Sequence, residues 1–232
     1  MAFFLEEPML ELEKYVQKEI KIERVNFECV DLKIVQDLVE SLEKMLVLYP
    51  EIKPFIHAIG TRPFLRKCID EIEIKMKEEA TLEELTQMRQ YLVQKESSNN
   101  PMMLFHSYMD QGQPCIMFGL EPYLEDCTHQ ELITTIKSIK KRNSITTVYN
   151  PSVIMYHEFG HCLDFLLSVS YDTEIFCAMM QKGIDPERYW YTGSELYADA
   201  FAEYYANPNA DPICNKVVQY TNRQYHRRFV RK

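Results

Sequence analysis

Hydrophobic positions in the first half of the chain recur at helical spacing. Residues 6–22 place Leu10, Leu12, Val16 and Ile20 among Glu and Lys, the pattern of an amphipathic helix. Leu32, Val35, Leu38, Val39, Leu42, Met45 and Leu46 mark one face of a second helix. Asp31 is its predicted cap, and Pro50 and Pro54 end it. Pro63 opens a third helix, with Leu65, Ile69, Ile72 and Met76 on one stripe. Thr81-Leu82-Glu83-Glu84 has the form of a capping box and starts a fourth, running to about Lys95.

The polar stretch Glu96–Pro101 reads as a linker, and the texture changes after it. Met102–Tyr108 and Cys115–Phe118 are apolar runs around Asp110-Gln111-Gly112-Gln113-Pro114, predicting a hairpin or two neighbouring strands. Thr128 caps a helix to about Lys141, and the β-branched run Ile145–Tyr149 predicts a short strand. Tyr171–Tyr191 is ambiguous, broken by Gly183 and Pro186. A strong helix follows from Ser194 to Ala206 and stops at Asn207-Pro208. The expected fold is α+β and mainly helical. Residues 1–98 form a helical N-terminal region, and residues 99–232 form a second domain with a small sheet beside the helix that begins near Pro151.

That helix carries His157-Glu158-Phe159-Gly160-His161, an H-E-x-x-H sequence. Residues i and i+4 lie on one helical face, so His157 and His161 can offer two imidazole nitrogens to one metal ion. Glu158 projects beside that face and can act on water activated there. Two imidazoles suit zinc, copper, iron or nickel, and the adjacent carboxylate points to hydrolytic zinc. Ile154, Met155, Phe159 and Leu163 give the apolar flanks of a helix buried behind such a site. The bland alternative is two histidines satisfied by ordinary hydrogen bonds on a half-buried helix.

A catalytic zinc needs a third protein ligand. Glu195, Asp199 and Glu203 share one stripe of the Ser194–Ala206 helix and compete for the role. Glu reaches farther than Asp, and Glu203 approaches the helix end, where a solvated acidic stripe is the plainer reading. Glu195 sits in the first turn, where the helix dipole favours a carboxylate. Asp164, three residues after His161, is either a partner that orients a ligand histidine or an ordinary surface residue.

H-E-F-G-H followed by S-E-x-x-A-D-A-F-A resembles the gluzincin metallopeptidases related to anthrax lethal factor, and the zincin domains that phages encode near head genes. The resemblance covers about Met102–Pro208. It implies a zincin-like domain, one Zn²⁺ per chain on His157, His161 and Glu195, and Glu158 as catalytic base. It also implies Asp199 in the place of the family's following Glu, and a protein or peptide substrate. Ile116–Leu124 is similar to the strand such domains carry before the metal helix. Family members also carry a Tyr before the Glu ligand that donates to the oxyanion. At that spacing this chain has Arg188, with Tyr189 and Tyr191 nearby, and all three remain candidates.

Composition narrows the setting. The chain is 46% hydrophobic, enough to bury a sizeable core. Its net charge of −9 disfavours a general nucleic-acid-binding role, which needs a basic face. The segment Lys216–Lys232 carries Lys216, Arg223, Arg227, Arg228, Arg231 and Lys232 and no acid, and it reads as a solvated C-terminal helix. The seven cysteines are odd in number and form no C-x-x-C, the usage of reduced cytosolic thiols. The first residues lack a basic region and a long apolar run, and no apolar run reaches membrane-spanning length. The expected setting is cytoplasmic, with no membrane partner. Two function classes follow: a zinc metalloendopeptidase, or a catalytically silent zincin-fold interaction or phage-head-associated protein that keeps its zinc site.

Overall fold

The structure is a computed structural model that describes residues 6–79, 103–110, 113–120, 124–143, 147–171 and 193–230. The expected helix from Thr81, the linker after it, and Arg188, Tyr189 and Tyr191 lie outside the described residues. Helix α1 spans Glu6–Tyr15 and continues as a wider π-type turn, Val16–Ile20, closed by Lys21 at φ 64°. Strand β1 is Arg24–Asn26, α2 is Leu32–Leu48, a 3-10 turn covers Pro50–Phe55, and β2 is Ile56–Thr61. Then come α3, Arg62–Glu79, and the strands β3, Met103–Asp110, and β4, Gln113–Leu120. The rest is helical: α4, His129–Asn143; α5, Ser152–Leu167; α6, Gly193–Ala206; and α7, Pro212–Tyr225.

The fold is therefore α+β and mainly helical with a small sheet. Helix α2 buries Ile34, Val35, Leu38, Val39, Leu42, Met45 and Leu46, nearly the stripe that periodicity predicts. Helix α4 opens on the capping geometry its sequence announces. Thr128 donates from Oγ1 to Glu131 Oε2 at 2.7 Å, and the Glu131 N–H returns to Thr128 Oγ1 at 3.3 Å. The hairpin is present: β3 and β4 pair antiparallel, with Phe105 opposite Phe118.

The chain forms two compact units. Residues 1–32 and 54–126 make one, and residues 33–53 and 127–232 make the other. The first contains a four-stranded sheet in the order β1-β2-β4-β3, with β2 parallel to both β1 and β4. Leu65, Cys68 and Ile69 of α3 pack on Ala58 and Met117 of that sheet. Gly60 allows β1 close to β2, since a Cβ there would lie 2.5 Å from the Asn26 carbonyl oxygen.

Two expectations need correction. The N-terminal region is not wholly helical, because it supplies β1 and β2. Both strands are short and parallel, so their hydrogen bonds come from residues far along the chain and leave no local period. The expected strand Ile145–Tyr149 is also absent among its described residues: Thr147–Tyr149 is irregular. The Thr147 N–H donates to a carboxylate oxygen of Glu203 at 2.7 Å, which replaces a ladder partner. The sheet belongs to the first unit, and α5 to the second.

Candidate metal centre

Helix α5 begins where its sequence says it should. Pro151 precedes it, and the Asn150 side chain accepts the Val153 N–H at 3.2 Å, a cap worth about 1 kcal/mol. Val153, Met155, Phe159, Cys162 and Leu163 are fully buried, so the apolar face fixes the rotation of the helix. His157 and His161 then sit at the margin of the core, their side chains 12% and 13% exposed.

The partner helix is α6. Leu196, Tyr197, Ala198, Ala200, Phe201 and Ala202 are buried, and small residues alternate with large ones. Gly160 of α5 faces Ala198 of α6, and a Cβ at Gly160 would stand 3.0 Å from the Ala198 Cα. The missing side chain lets the two backbones approach closely. A glycine inside a helix costs roughly 1 kcal/mol in propensity. Here it sets the separation over which α6 can reach the histidines.

At that separation Glu195 meets both imidazoles. Its Oε2 lies 3.2 Å from His157 Nε2 and its Oε1 lies 3.3 Å from His161 Nε2. The two Nε2 atoms are 3.1 Å apart. One ligand atom from each of the three residues falls within 4.8 Å of the others, so the group could hold a metal ion. Burial raises the pKa of Glu195, but hydrogen bonds and charge from His157 and His161 outweigh it and hold the carboxyl well below the usual carboxylate range. The carboxylate thus stands beside two ring nitrogens, the donor types that a metal takes.

The outer nitrogens are also engaged. His157 Nδ1 is 2.9 Å from Asp199 Oδ1, and Asp199 is buried. His161 Nδ1 is 3.1 Å from Ser194 Oγ. Asp199, one of the three acids on the stripe of that helix, thus lies against His157 and not in solvent. The Ser194 contact does not follow from the sequence. A hydroxyl in the first turn of a helix reads as a cap, and the available signal was its place directly before Glu195. Glu158 lies on α5 next to His157 and is 3% exposed.

Asp164 and Glu203 depart from expectation. Both Asp164 carboxylate oxygens accept from Ser170, from its N–H and its hydroxyl, each at 2.7 Å. The Asp164 carbonyl takes the N–H of Ser168, which stands at φ 56°. Asp164 therefore fastens the turn that ends α5, and among the described contacts it orients no histidine. Glu203 is not part of a solvated stripe: it is 1% exposed. It accepts from the Thr147 N–H, from the Thr147 hydroxyl at 2.6 Å and from Asn207 Nδ2 at 2.6 Å. It ties the segment entering α5 to the end of α6.

Aromatic packing backs the site. Tyr49 lies near Phe159 and Phe201, with ring centroids 5.9 and 6.1 Å away. Its hydroxyl donates to Asn222 Oδ1 at 2.8 Å and shares a hydrogen bond with the Tyr205 hydroxyl at 2.8 Å. Cys162, beside His161 in sequence, is fully buried, and burial pushes its thiol up, which disfavours the thiolate. His129 is 2.8 Å from Asp37, an ion-pair geometry away from the ligand group. Among the described residues no helix is long and apolar enough to cross a membrane. Comparison with protein-family models, curated proteins and solved structures finds no match for this chain.

Proposed function

We propose that the chain is a zinc metalloendopeptidase of the gluzincin type, similar to the lethal-factor-like and phage-encoded zincins, acting on a protein or peptide substrate. The observation that carries this reading is the meeting of His157, His161 and Glu195 from two helices, with their donor atoms within 4.8 Å of one another. Two imidazoles and one carboxylate form a donor set found in catalytic zinc sites that keep a position open for substrate. A purely structural zinc more often takes four protein ligands. The donor chemistry fits zinc, with one ion per chain.

When bound there, zinc supplies Lewis acidity, polarising a carbonyl and acidifying water near neutral pH. The remaining work falls to the chain. Glu195 places negative charge between the rings. Asp199 holds the Nδ1 proton of His157, which turns the Nε2 lone pair toward the shared point. Glu158, next to His157 in sequence, takes a proton from the attacking water and returns it to the leaving amine. Its burial keeps bulk water from competing for that proton.

The test pairs metal content with peptide cleavage. The parent should bind one zinc and cleave members of a peptide library, and Glu158→Ala should keep the zinc and lose cleavage. A parent that holds zinc but cleaves nothing would favour the silent interaction protein.

A further inference from the structure

The two ligand histidines are anchored by chemically different partners. A carboxylate oxygen accepts, so in the contact between Asp199 Oδ1 and His157 Nδ1 the ring nitrogen is the donor. The Ser194 hydroxyl can accept or donate. Its contact with His161 Nδ1 therefore admits two arrangements. If Ser194 donates, the His161 proton sits on Nε2, the atom 3.3 Å from Glu195 and 3.1 Å from His157 Nε2. That ring could not ligate. If Ser194 accepts, Nε2 is bare and faces the shared point.

We propose that Ser194 is a positioning residue for the metal centre. Its hydroxyl accepts the Nδ1 proton of His161 and holds the ring with Nε2 free to ligate. The inference rests on the metal reading above. Three features of the structure support it. Ser194 and Glu195 are adjacent in α6, so one helical turn supplies both a ligand and the group that aims another ligand. The Ser194 and Glu195 contacts fall on opposite ring nitrogens of His161, so together they define both the plane and the direction of the imidazole. The two Nε2 atoms stand 3.1 Å apart, so both rings turn that nitrogen toward one point beside the Glu195 carboxylate. The helix contact at Gly160 and Ala198 carries this geometry, because it sets how far α6 stands from α5.

A neutral hydroxyl polarises imidazole less than a carboxylate does. Its loss belongs at the lower end of the 10–100-fold range seen when partners of ligand histidines are removed. The experiment is a zinc titration of the full chain against a chromophoric chelator, with Ser194→Ala and Ser194→Thr beside the parent. Ser194→Ala should bind zinc about ten-fold more weakly. Ser194→Thr, which keeps the hydroxyl, should stay close to the parent. A second readout needs no variant: in the zinc-loaded parent, the His161 Nδ1–H should appear in proton NMR as a hydrogen-bonded, slowly exchanging signal. Equal affinity in Ser194→Ala, or a rapidly exchanging His161 Nδ1–H, would overturn the proposal and leave the metal reading intact. A parent that binds no zinc would overturn both.

Discussion

His157 Nδ1 lies 2.9 Å from Asp199 Oδ1, and that contact spans two helices. Asp199 is 5% exposed and His157 is 12% exposed, so the bond is shielded from water. A charge-assisted hydrogen bond of this kind is worth about 1.5–3 kcal/mol. It fixes which nitrogen faces Glu195. Asp199→Asn keeps the size but lets the amide present either a donor or an acceptor. Zinc affinity should fall about 10–100-fold. Glu195→Gln removes a ligand charge and should cost more than Asp199→Asn. Chelator competition on both variants checks the order, and equal or reversed losses would contradict the ligand assignment.

The motif helix was legible because its signal is local. H-E-x-x-H fixes a face, and Asn150-Pro151 fixes a start. The same holds for α2, for the Thr128–Glu131 cap and for the β3–β4 hairpin, where neighbours in sequence are neighbours in space. Legibility failed where partners are distant. Strands β1 and β2 depend on parallel pairing across tens of residues. Residues 33–53 join a unit whose other residues begin at 127, which no linker composition announces. The roles of Glu203 and Ser194 are not legible locally, because they depend on what α5 and the segment before it bring to them. Helical spacing alone leaves the role of Asp164 open, and the Ser170 turn after α5 decides it.

Gly160 is the second point of control. An alanine Cβ would stand 3.0 Å from the Ala198 backbone, which cannot yield as a side chain end can. Overpacking costs about 1–3 kcal/mol, and the gain in helix propensity returns up to about 1. Gly160→Ala should therefore lower stability by about 1 kcal/mol. It should weaken zinc binding as well, because α6 must move away from the histidines. Chemical denaturation and zinc titration measure the two effects. A variant more stable than the parent with unchanged zinc affinity would show that the helices do not need this close approach.

The tyrosine cluster predicts a response to alkali. Burial, with the nearby tyrosines adding to it, pushes Tyr49 far above the ordinary phenol range. Burial also raises Tyr205 to about 12, against the opposing hydrogen bond from Tyr49. Both folded-state values exceed the unfolded value of about 10. The neutral phenols thus contribute stability that is fully present below about pH 10 and is lost as pH rises toward the folded values. Tyrosinate absorbance should lag behind that of free tyrosine, and its late phase should coincide with loss of near-ultraviolet dichroism. Tyr205→Phe should remove part of the lag. A titration of all tyrosines near pH 10 with the fold intact would contradict the burial argument.

Glu203 carries the last prediction. Three donors converge on its carboxylate: the Thr147 N–H at 2.7 Å, the Thr147 hydroxyl at 2.6 Å and Asn207 Nδ2 at 2.6 Å. Both oxygens are used, Oε2 by the backbone and Oε1 by the side chains. Glu203→Gln keeps the volume but turns one acceptor into a donor. That amide would then face the hydroxyl or the backbone N–H of Thr147; Glu203 is 1% exposed, while Thr147 is exposed and Asn207 half-buried. The hydroxyl can rotate to accept, but the Thr147 N–H cannot. If the Gln oxygen serves the N–H, its NH₂ meets the Thr147 hydroxyl and Asn207 Nδ2; Asn207 keeps Thr147 Oγ1, 2.9 Å away, as an acceptor, and the Thr147 hydroxyl loses its own. Leaving one such group unsatisfied costs about 1–3 kcal/mol. The expected loss of stability is of that size, far above the few tenths of a solvated side chain. Zinc affinity should change little beyond what the lower stability explains, since Glu203 touches neither histidine nor Glu195 in the contacts described. Thr147→Val removes the hydroxyl but keeps the N–H, and should cost less than Glu203→Gln. Denaturation of both variants, with zinc titration alongside, tests this. A Glu203→Gln protein as stable as the parent would refute the tie, and one that loses zinc first would place Glu203 in the metal site.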